Sequence, residues 1–159
     1  MKKNKFSHID SSGNPKMVDV SGKEVTVRTA QAQAVVKLGK DIVNQMKGKE
    51  VVTKKGPVFH TAIVAGVMAA KRTAELIPFC HPIGLEDCQI KIEVKKQRAI
   101  ITSTAKITSK TGVEMEALTA CTVAALTVYD MCKALSHRMV IDEVKLLKKT
   151  GGKKDYRLK

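Results

Sequence analysis

The sequence predicts a single α+β domain in which two long helices alternate with the strands of an antiparallel sheet. The chain has 159 residues, which is long enough for one compact domain with its own core and too short for a comfortable second one. Stretches that alternate apolar and polar residues predict the strands, and two long alanine-rich runs predict the helices. Because 43% of the residues are hydrophobic and 28% are charged, close to globular averages, the composition excludes wholesale disorder.

The first half of the chain predicts one strand and two helices. From Val25 to Leu38, small or apolar residues alternate with polar ones, which is the period of a strand with one buried face. A short helix is expected over 41–46. A long helix is predicted over 58–77, with Pro57 at its favoured first position and Pro78 closing it.

The second half predicts a hairpin, a helix and a last strand. Residues 89–96 and 98–109 both alternate, and a tight connection near Gln97 joins them into a β-hairpin. A second long helix is predicted over 114–135, and a strand over 139–147. The resulting order of strand, helices, strand, strand, helix and strand is the split β-α-β-β-α-β arrangement of ferredoxin-like sandwiches, with one extra short helix.

The two ends of the chain differ from its middle. Residues 1–23 are polar and contain the run Ser-Ser-Gly-Asn-Pro at 11–15, so we expect a flexible N-terminal arm, followed by a single α+β domain over 24–159 with a basic C-terminal tail. The opening residues are positive but lack an apolar run behind them, which predicts a cytoplasmic protein. The apolar run 58–77 carries Lys71, Arg72 and Glu75, so it predicts a buried soluble helix rather than a membrane span.

A net charge of +14 predicts a polyanionic partner, which could be nucleic acid, an anionic membrane or a phosphorylated small molecule. Aromatic residues make up only 3% and tryptophan is absent, which leaves few platforms for stacking single-stranded bases. Neither a G-x-x-x-x-G-K-[ST] nor a G-x-G-x-x-G motif is present, which disfavours the standard nucleotide-binding folds.

The run Pro-Phe-Cys-His-Pro at 78–82 is the first candidate site. Cys80 and His81 are neighbours in an extended turn, where their side chains would point apart, so a thiolate-imidazole nucleophile is geometrically awkward. A zinc site is equally weak, because the paired spacing of zinc ligands is missing. The prolines would stiffen the turn so that His81 can be held against a ligand. The alternative is a plain turn that stops the helix, with His81 at the surface.

Three further clusters carry polar groups that could bind or catalyse. Glu114 and Glu116 open a predicted helix, where they either cap it or accept paired N–H groups from a base. Asp130 and Lys133 share one helix face, as a surface ion pair or as an acid-base pair near an apolar segment. Basic residues that precede the long helices or interrupt the first strand could hold phosphate groups: Lys54, Lys55, Lys106, Lys110 and Arg28.

Taken together, several strings resemble one family closely: "MVDVS", "AAKRT-LIP-CHP", "KTGVEMEALTA", "VAALT-YDMCKA" and "GGK". That family is the cyclic pyranopterin monophosphate synthases, the C proteins (MoaC) of molybdenum cofactor biosynthesis. The resemblance runs from about His8 to Lys153. It implies a ferredoxin-like subunit in a hexamer of three dimers, with active sites at subunit interfaces.

The resemblance also implies a reaction and its residues. Family members are lyases that convert a cyclised dihydro-GTP into cyclic pyranopterin monophosphate and release pyrophosphate. By matching motif, the catalytic positions fall on Asp130, Lys133 and Lys55. The substrate-binding positions fall on Phe79, Cys80, His81, Glu114, Met115, Glu116, Arg28 and Lys149.

Two positions depart from the family pattern: Phe79 stands where leucine is common, and Pro57 where a polar residue is common. Neither departure replaces a functional group. The expected chemistry is acid-base catalysis without a covalent thiol step, helped by lysine pKa values that crowded positive charge would lower. The resemblance implies no required cofactor and no bound metal, and it leaves open whether Mg²⁺ accompanies the triphosphate.

The expected partners are therefore a small GTP-derived substrate and further copies of the chain, with no specific nucleic acid and no membrane. The alternative function is a small basic nucleic-acid-binding protein that uses the lysine-rich tails and the sheet.

Overall fold

The computed structural model describes residues 9–10 and 12–159. The arm predicted for residues 1–23 therefore lies partly outside the described residues, at 1–8 and 11. Along the chain the elements are β1 (Thr26–Lys37), α1 (Lys40–Val43), β2 (Met46–Lys47), β3 (Glu50–Thr53), β4 (Gly56–Pro57), α2 (Val58–Lys71), α3 (Thr73–Leu76), β5 (Asp87–Lys95), β6 (Arg98–Ser109), α4 (Glu114–Cys132), β7 (Val140–Thr150) and β8 (Tyr156–Arg157).

The main sheet has five strands in the order β5-β6-β1-β7-β8, and all of its pairings are antiparallel. The predicted α+β class with an antiparallel sheet is confirmed, and the order of its four long strands is compatible with a ferredoxin-like split arrangement. Lys96 and Gln97 both have positive φ angles, 47° and 63°, so they form the tight turn predicted between β5 and β6. The three-stranded sheet β2-β3-β4 was not predicted.

The core lies between one face of the sheet and the two long helices. In β1, Ala30, Ala32, Ala34 and Val36 are each at most 1% exposed, which matches the predicted alternation. Small side chains also line the contact between α2 and α4, so their backbones approach closely. A Cβ atom added at Gly66 would lie 2.7 Å from the carbonyl oxygen of Ala120.

The helices are shorter than predicted. The long helix expected over 58–77 stops at Lys71, and α3 follows after Arg72, whose φ of −111° is not helical. The Thr73 hydroxyl donates to the carbonyl oxygens of Ala69 and Ala70 at 3.5 and 3.0 Å, and such local bonds compete with helix continuation. Pro57 is the N-cap of α2 rather than its first helical residue.

Two other helix boundaries also differ, and the last strand, expected over 139–147, runs from Val140 to Thr150. The short helix expected over 41–46 ends at Val43, because Met46 and Lys47 pair with β3 as strand β2. The helix expected over 114–135 ends at Cys132.

Within the described residues, α4 alone is long and apolar enough to cross a membrane by length and composition. Its buried residues include Ala117, Cys121, Ala125 and Val128, all part of the hydrophobic core. The helix α2 is apolar but has only 14 residues. Both helices contribute buried residues to the hydrophobic core.

Candidate active site

An open cleft of about 1480 Å³ lies beside the N-terminal end of α4. Its walls come from residues 18–24, the start of β1, the turn after α3, the loop before α4, and the chain from the end of β7 onward. All eight predicted substrate-binding residues line it: Arg28, Phe79, Cys80, His81, Glu114, Met115, Glu116 and Lys149.

Two cations in the cleft are held by partners within the chain. Lys149 Nζ lies 2.7 Å from Glu114 Oε1, so this ion pair ties β7 to the first turn of α4. Arg28 donates from Nε to the carbonyl oxygen of Ser109 at 3.2 Å and from Nη2 to that of Lys110 at 3.3 Å. Arg28 therefore anchors the loop before α4 to the start of β1.

Glu116 is the buried acid of the cleft. It is 4% exposed, and burial, followed by the nearby charge of Glu114, raises its pKa to about 6. A carboxyl with this pKa is partly protonated near neutral pH, so it can both donate and accept hydrogen bonds.

The turn after α3 brings Cys80 and His81 into the cleft. Burial and the charge of Glu116 raise the pKa of the Cys80 thiol, which keeps it protonated and agrees with the expectation of no thiolate nucleophile. His81 Nε2 lies 2.8 Å from the carbonyl oxygen of Val18. His81 is therefore held in the cleft wall rather than free at the surface.

The three predicted catalytic residues form a second cluster. Asp130 lies in the last turn of α4, and its two carboxylate oxygens bind Lys133 Nζ at 2.7 Å and Lys55 Nζ at 2.8 Å. Lys55 sits in the turn between β3 and β4 and also donates to the Asp130 carbonyl oxygen at 3.3 Å. The sequence spacing therefore predicted the contact of Asp130 with Lys133, and the fold adds the contact of Asp130 with Lys55.

The charges in this cluster correct one prediction. Lys133 and then Lys55 lower the pKa of Asp130 to about 2, so the carboxylate is ionised at neutral pH. The same carboxylate raises the pKa of Lys133. The expectation that crowded positive charge lowers the pKa of Lys133 is wrong, because its nearest charged neighbour is an anion.

The structure does not bring the cleft and this cluster together within one chain. Glu114 and Glu116 begin α4, whereas Asp130 ends it. A helix of 19 residues is about 28 Å long, and none of Lys55, Asp130 or Lys133 lines the cleft.

Sequence reasoning missed Glu50, which supports the turn that carries Lys55. Its Oε1 accepts the backbone N–H of Phe59 at 2.8 Å, and its Oε2 accepts that of His60 at 3.1 Å and lies 2.6 Å from His60 Nδ1. Glu50 thus satisfies the start of α2, which Pro57 cannot cap with a side chain. The sequence signal for such a partner was a predicted helix that begins without a side chain able to cap it.

Sequence reasoning also gave no site role to Lys23, Lys145, Lys153 and Lys154, all of which line the cleft. Three of them belong to the basic C-terminal part, which composition alone could not distinguish from a solvated tail.

The described residues contain no group of three or more histidine, cysteine, aspartate and glutamate side chains that could hold a metal ion. All four cysteines are free, and Cys121 and Cys132 are buried.

Comparison with known proteins identifies the family. The model of the MoaC family matches residues 17–152. The cyclic pyranopterin monophosphate synthases of Xanthomonas campestris pv. campestris (strain 8004) and Xanthomonas oryzae pv. oryzae (strain MAFF 311018) are 49% and 47% identical to the chain. Each alignment covers 95% of this chain and 92% of the relative.

A longer relative has the same similarity over a part of its length. Molybdenum cofactor biosynthesis protein 1 of Dictyostelium discoideum is 47% identical over 96% of this chain, and the chain spans 27% of that protein. The family match and the Xanthomonas relatives together cover nearly all of the sequence and confirm the resemblance found in its motifs. The chain belongs to the MoaC family.

Proposed function

We propose that the chain is a cyclic pyranopterin monophosphate synthase of molybdenum cofactor biosynthesis. It converts (8S)-3′,8-cyclo-7,8-dihydroguanosine 5′-triphosphate to cyclic pyranopterin monophosphate and releases pyrophosphate. The observation that carries the proposal is the identity of 47–49% to enzymes of that name over nearly the full length of both proteins. The cleft supports it, because it collects every substrate-binding position that the family motifs indicate.

The cleft has the polarity that such a substrate requires. Arg28, Lys149 and the further lysines of the lining offer cations to the triphosphate. Glu114 and Glu116 offer carboxyl oxygens to the paired N–H donors of the guanine-derived ring. The substrate would compete with the Lys149–Glu114 ion pair for both of its members.

The Lys55-Asp130-Lys133 cluster would supply the proton transfers. The purine ring must open and rebuild, and a sugar hydroxyl must attack the α-phosphorus as the bond to pyrophosphate breaks. Lys133 enters the reaction as an ammonium ion, which can donate a proton as a general acid, and the Asp130 carboxylate, which raises the pKa of Lys133, stabilises that charged form. Asp130 orients both lysines through its two oxygens.

The active site would be completed between copies of the chain in a homohexamer of three dimers. The cleft and the Lys55-Asp130-Lys133 cluster lie at opposite ends of α4, so one copy would present the cluster to the cleft of its neighbour. Exposed apolar side chains support association, since Val64 and Met68 on α2 are 60% and 50% exposed and Leu126 on α4 is 54% exposed.

The proposal requires no resident cofactor, and any Mg²⁺ would enter with the triphosphate as part of the substrate. It places the enzyme in the cytoplasm, with no membrane or nucleic-acid partner. The alternative of a small basic nucleic-acid-binding protein has no support in the comparisons.

Turnover of the cyclised dihydro-GTP by the purified chain tests the proposal, with both pyrophosphate and the pterin product measured. Asp130→Ala and Lys133→Ala should each lower kcat by about 10²-fold or more, since positioned acid-base groups contribute that much. Both positions are exposed, so the free energy of unfolding should stay close to that of the unaltered chain.

Asp142→Ala is the matched control. Asp142 forms an ion pair of the same length with Lys37, 2.7 Å, but it lies outside the cleft and the catalytic cluster, so turnover should stay near that of the unaltered chain. No product from the unaltered chain, or near-normal kcat in Asp130→Ala, would contradict the proposal.

A further inference from the structure

Residues 18–23 form a strap along the cleft. Val18, Val20, Gly22 and Lys23 line the cleft, whereas Asp19 and Ser21 do not, so the segment alternates between the cleft and the outside. Apart from the charge of Lys23, nothing in the proposed reaction uses this strap, yet two side chains from other parts of the chain bind its backbone.

The first of these side chains is His81, from the turn after α3. Its Nε2 lies 2.8 Å from the Val18 carbonyl oxygen. The second is Lys110, from the loop before α4, whose Nζ lies 2.6 Å from the Ser21 carbonyl oxygen. The strap is therefore held at Val18 by a residue that lines the cleft and at Ser21 by a residue of the loop before α4.

The bond to Val18 determines the protonation pattern of the His81 ring. A carbonyl oxygen only accepts hydrogen bonds, so Nε2 must carry the proton. In the neutral ring, Nδ1 then has the free lone pair, and it is the nitrogen that can accept a proton or a hydrogen bond. The strap thus decides which ring nitrogen acts as the acceptor.

The shape of the strap depends on Asp19. Its Oδ1 accepts the backbone N–H of Ser21 at 2.8 Å, a local turn in which an aspartate side chain bonds the backbone two residues on. The backbone N–H of Lys23 closes a second turn onto the Val20 carbonyl oxygen at 3.1 Å. Asp19 is exposed and lies outside the cleft, so it would act on the site through the strap, which it fixes by its bond to Ser21 and by its charge near Lys110.

We propose that Asp19 is a positioning residue for His81: by fixing the strap, it holds the Val18 carbonyl oxygen on Nε2 and leaves Nδ1 as the proton acceptor for the substrate. The functional part of this inference rests on the proposed function. The tautomer itself does not, so it can be tested without turnover.

Nitrogen-15 NMR of the histidine rings in the full chain measures the tautomer directly. At a pH where the rings are neutral, His81 should show a single Nε2–H form whose ring proton exchanges slowly with water. The sequence has four histidines, and the signal that disappears in His81→Asn assigns the ring. An Nδ1–H form, or rapid exchange between the two forms, would overturn the proposal.

Three variants test whether the turn formed by Asp19, rather than another effect of replacing this residue, controls the His81 ring. Asp19→Ala removes the acceptor for Ser21, so the slowly exchanging Nε2–H signal should disappear and kcat should fall about ten-fold, with KM changed by less than about two-fold. Asp19→Asn keeps an acceptor oxygen and should restore both readouts. Asp10→Ala is the matched control, because Asp10 forms similar turns with Ser12 and Asn14 away from the cleft, and it should change neither.

The outcomes distinguish the two proposals. An unchanged Nε2–H signal in Asp19→Ala would overturn the role of Asp19, even with the enzymatic activity established. A lost signal with unchanged kcat would overturn the claim that the tautomer matters to turnover. Absence of turnover in the unaltered chain, with the NMR result as expected, would refute the proposed function and leave the tautomer assignment standing.

Discussion

At the scale of single residues, Glu116 is the group whose ionisation the fold opposes. Burial raises its pKa to about 6, so between its ordinary pKa of about 4.3 and this value the folded chain binds more protons than the unfolded chain. The contribution of Glu116 to the free energy of unfolding therefore decreases as the pH rises through that interval. Asp130 behaves in the opposite way, because its pKa of about 2 keeps it ionised throughout.

We expect Glu116→Gln to remove this pH dependence. The glutamine is neutral at every pH. The free energy of unfolding of Glu116→Gln minus that of the unaltered chain should therefore be about 1–2 kcal/mol larger at pH 7 than at pH 4. Urea unfolding at both pH values measures the difference. Glu75→Gln, at an exposed position on α3, is the control. It should change the free energy of unfolding by the same amount at both pH values. A Glu116→Gln effect independent of pH would mean that Glu116 is ionised normally.

Sequence reasoning identified most site residues but not their charge states. The spacing of Asp130 and Lys133 predicted that they meet, and they do at 2.7 Å. The predicted direction of the Lys133 pKa was wrong because its Nζ lies 2.7 Å from the Asp130 carboxylate, which favours the ammonium form. Glu50 was missed because its partners Phe59 and His60 lie nine and ten residues away, across a small sheet with no sequence signal.

At the scale of elements, a glycine lets α2 pack closely against α4. A Cβ atom at Gly66 would lie 2.7 Å from the Ala120 carbonyl oxygen and 2.4 Å from Ile90 Cδ1. The isoleucine side chain can move, but a carbonyl oxygen within a helix cannot, so the two helices must separate to admit a methyl group.

We expect Gly66→Ala to destabilise the chain although alanine favours helices. The gain in helix propensity is about 0.5–1 kcal/mol, and overpacking costs about 1–3 kcal/mol, so the net loss should be about 1–2 kcal/mol. Chemical unfolding measures it. Gly84→Ala is the matched control, since a Cβ there meets nothing within 4 Å, and its stability should stay within about 0.5 kcal/mol of the unaltered chain. A Gly66→Ala variant more stable than the unaltered chain would show that α2 and α4 can separate with little loss of free energy.

The regular elements could be predicted because their signals are local. Alternation in β1 and along the β5-β6 hairpin gave strands within one or two residues of the observed bounds. The break between α2 and α3 could not be predicted, because it depends on where the Thr73 hydroxyl bonds. The strands β2, β3 and β4 have two to four residues each, too short for periodicity to register.

At the scale of the whole molecule, the sequence motifs indicate one active site, whereas the chain displays its parts at two places. The cleft contains His81 and the buried acid, and the distal end of α4 carries Asp130 with its lysines. Since α4 is a continuous helix, no rearrangement short of breaking it brings them together. If a second copy places the C-terminal end of its α4 at the cleft of the first, the two parts of the site meet without any change in the fold of either chain.

Mixing two inactive variants tests this arrangement. His81→Ala removes a group from the cleft and Asp130→Ala removes one from the distal cluster, so each variant alone should be nearly inactive. If each site takes its cleft from one copy and its cluster from another, half of the randomly paired copies are mixed, and one of the two sites in each mixed pair is intact. Co-expressed or co-refolded variants should then recover about a quarter of normal turnover. A mixture no more active than its separate components would show that the two residues do not complement each other across copies. Because the length of α4 also excludes a site that both residues share within one chain, one of them would then have no part in turnover.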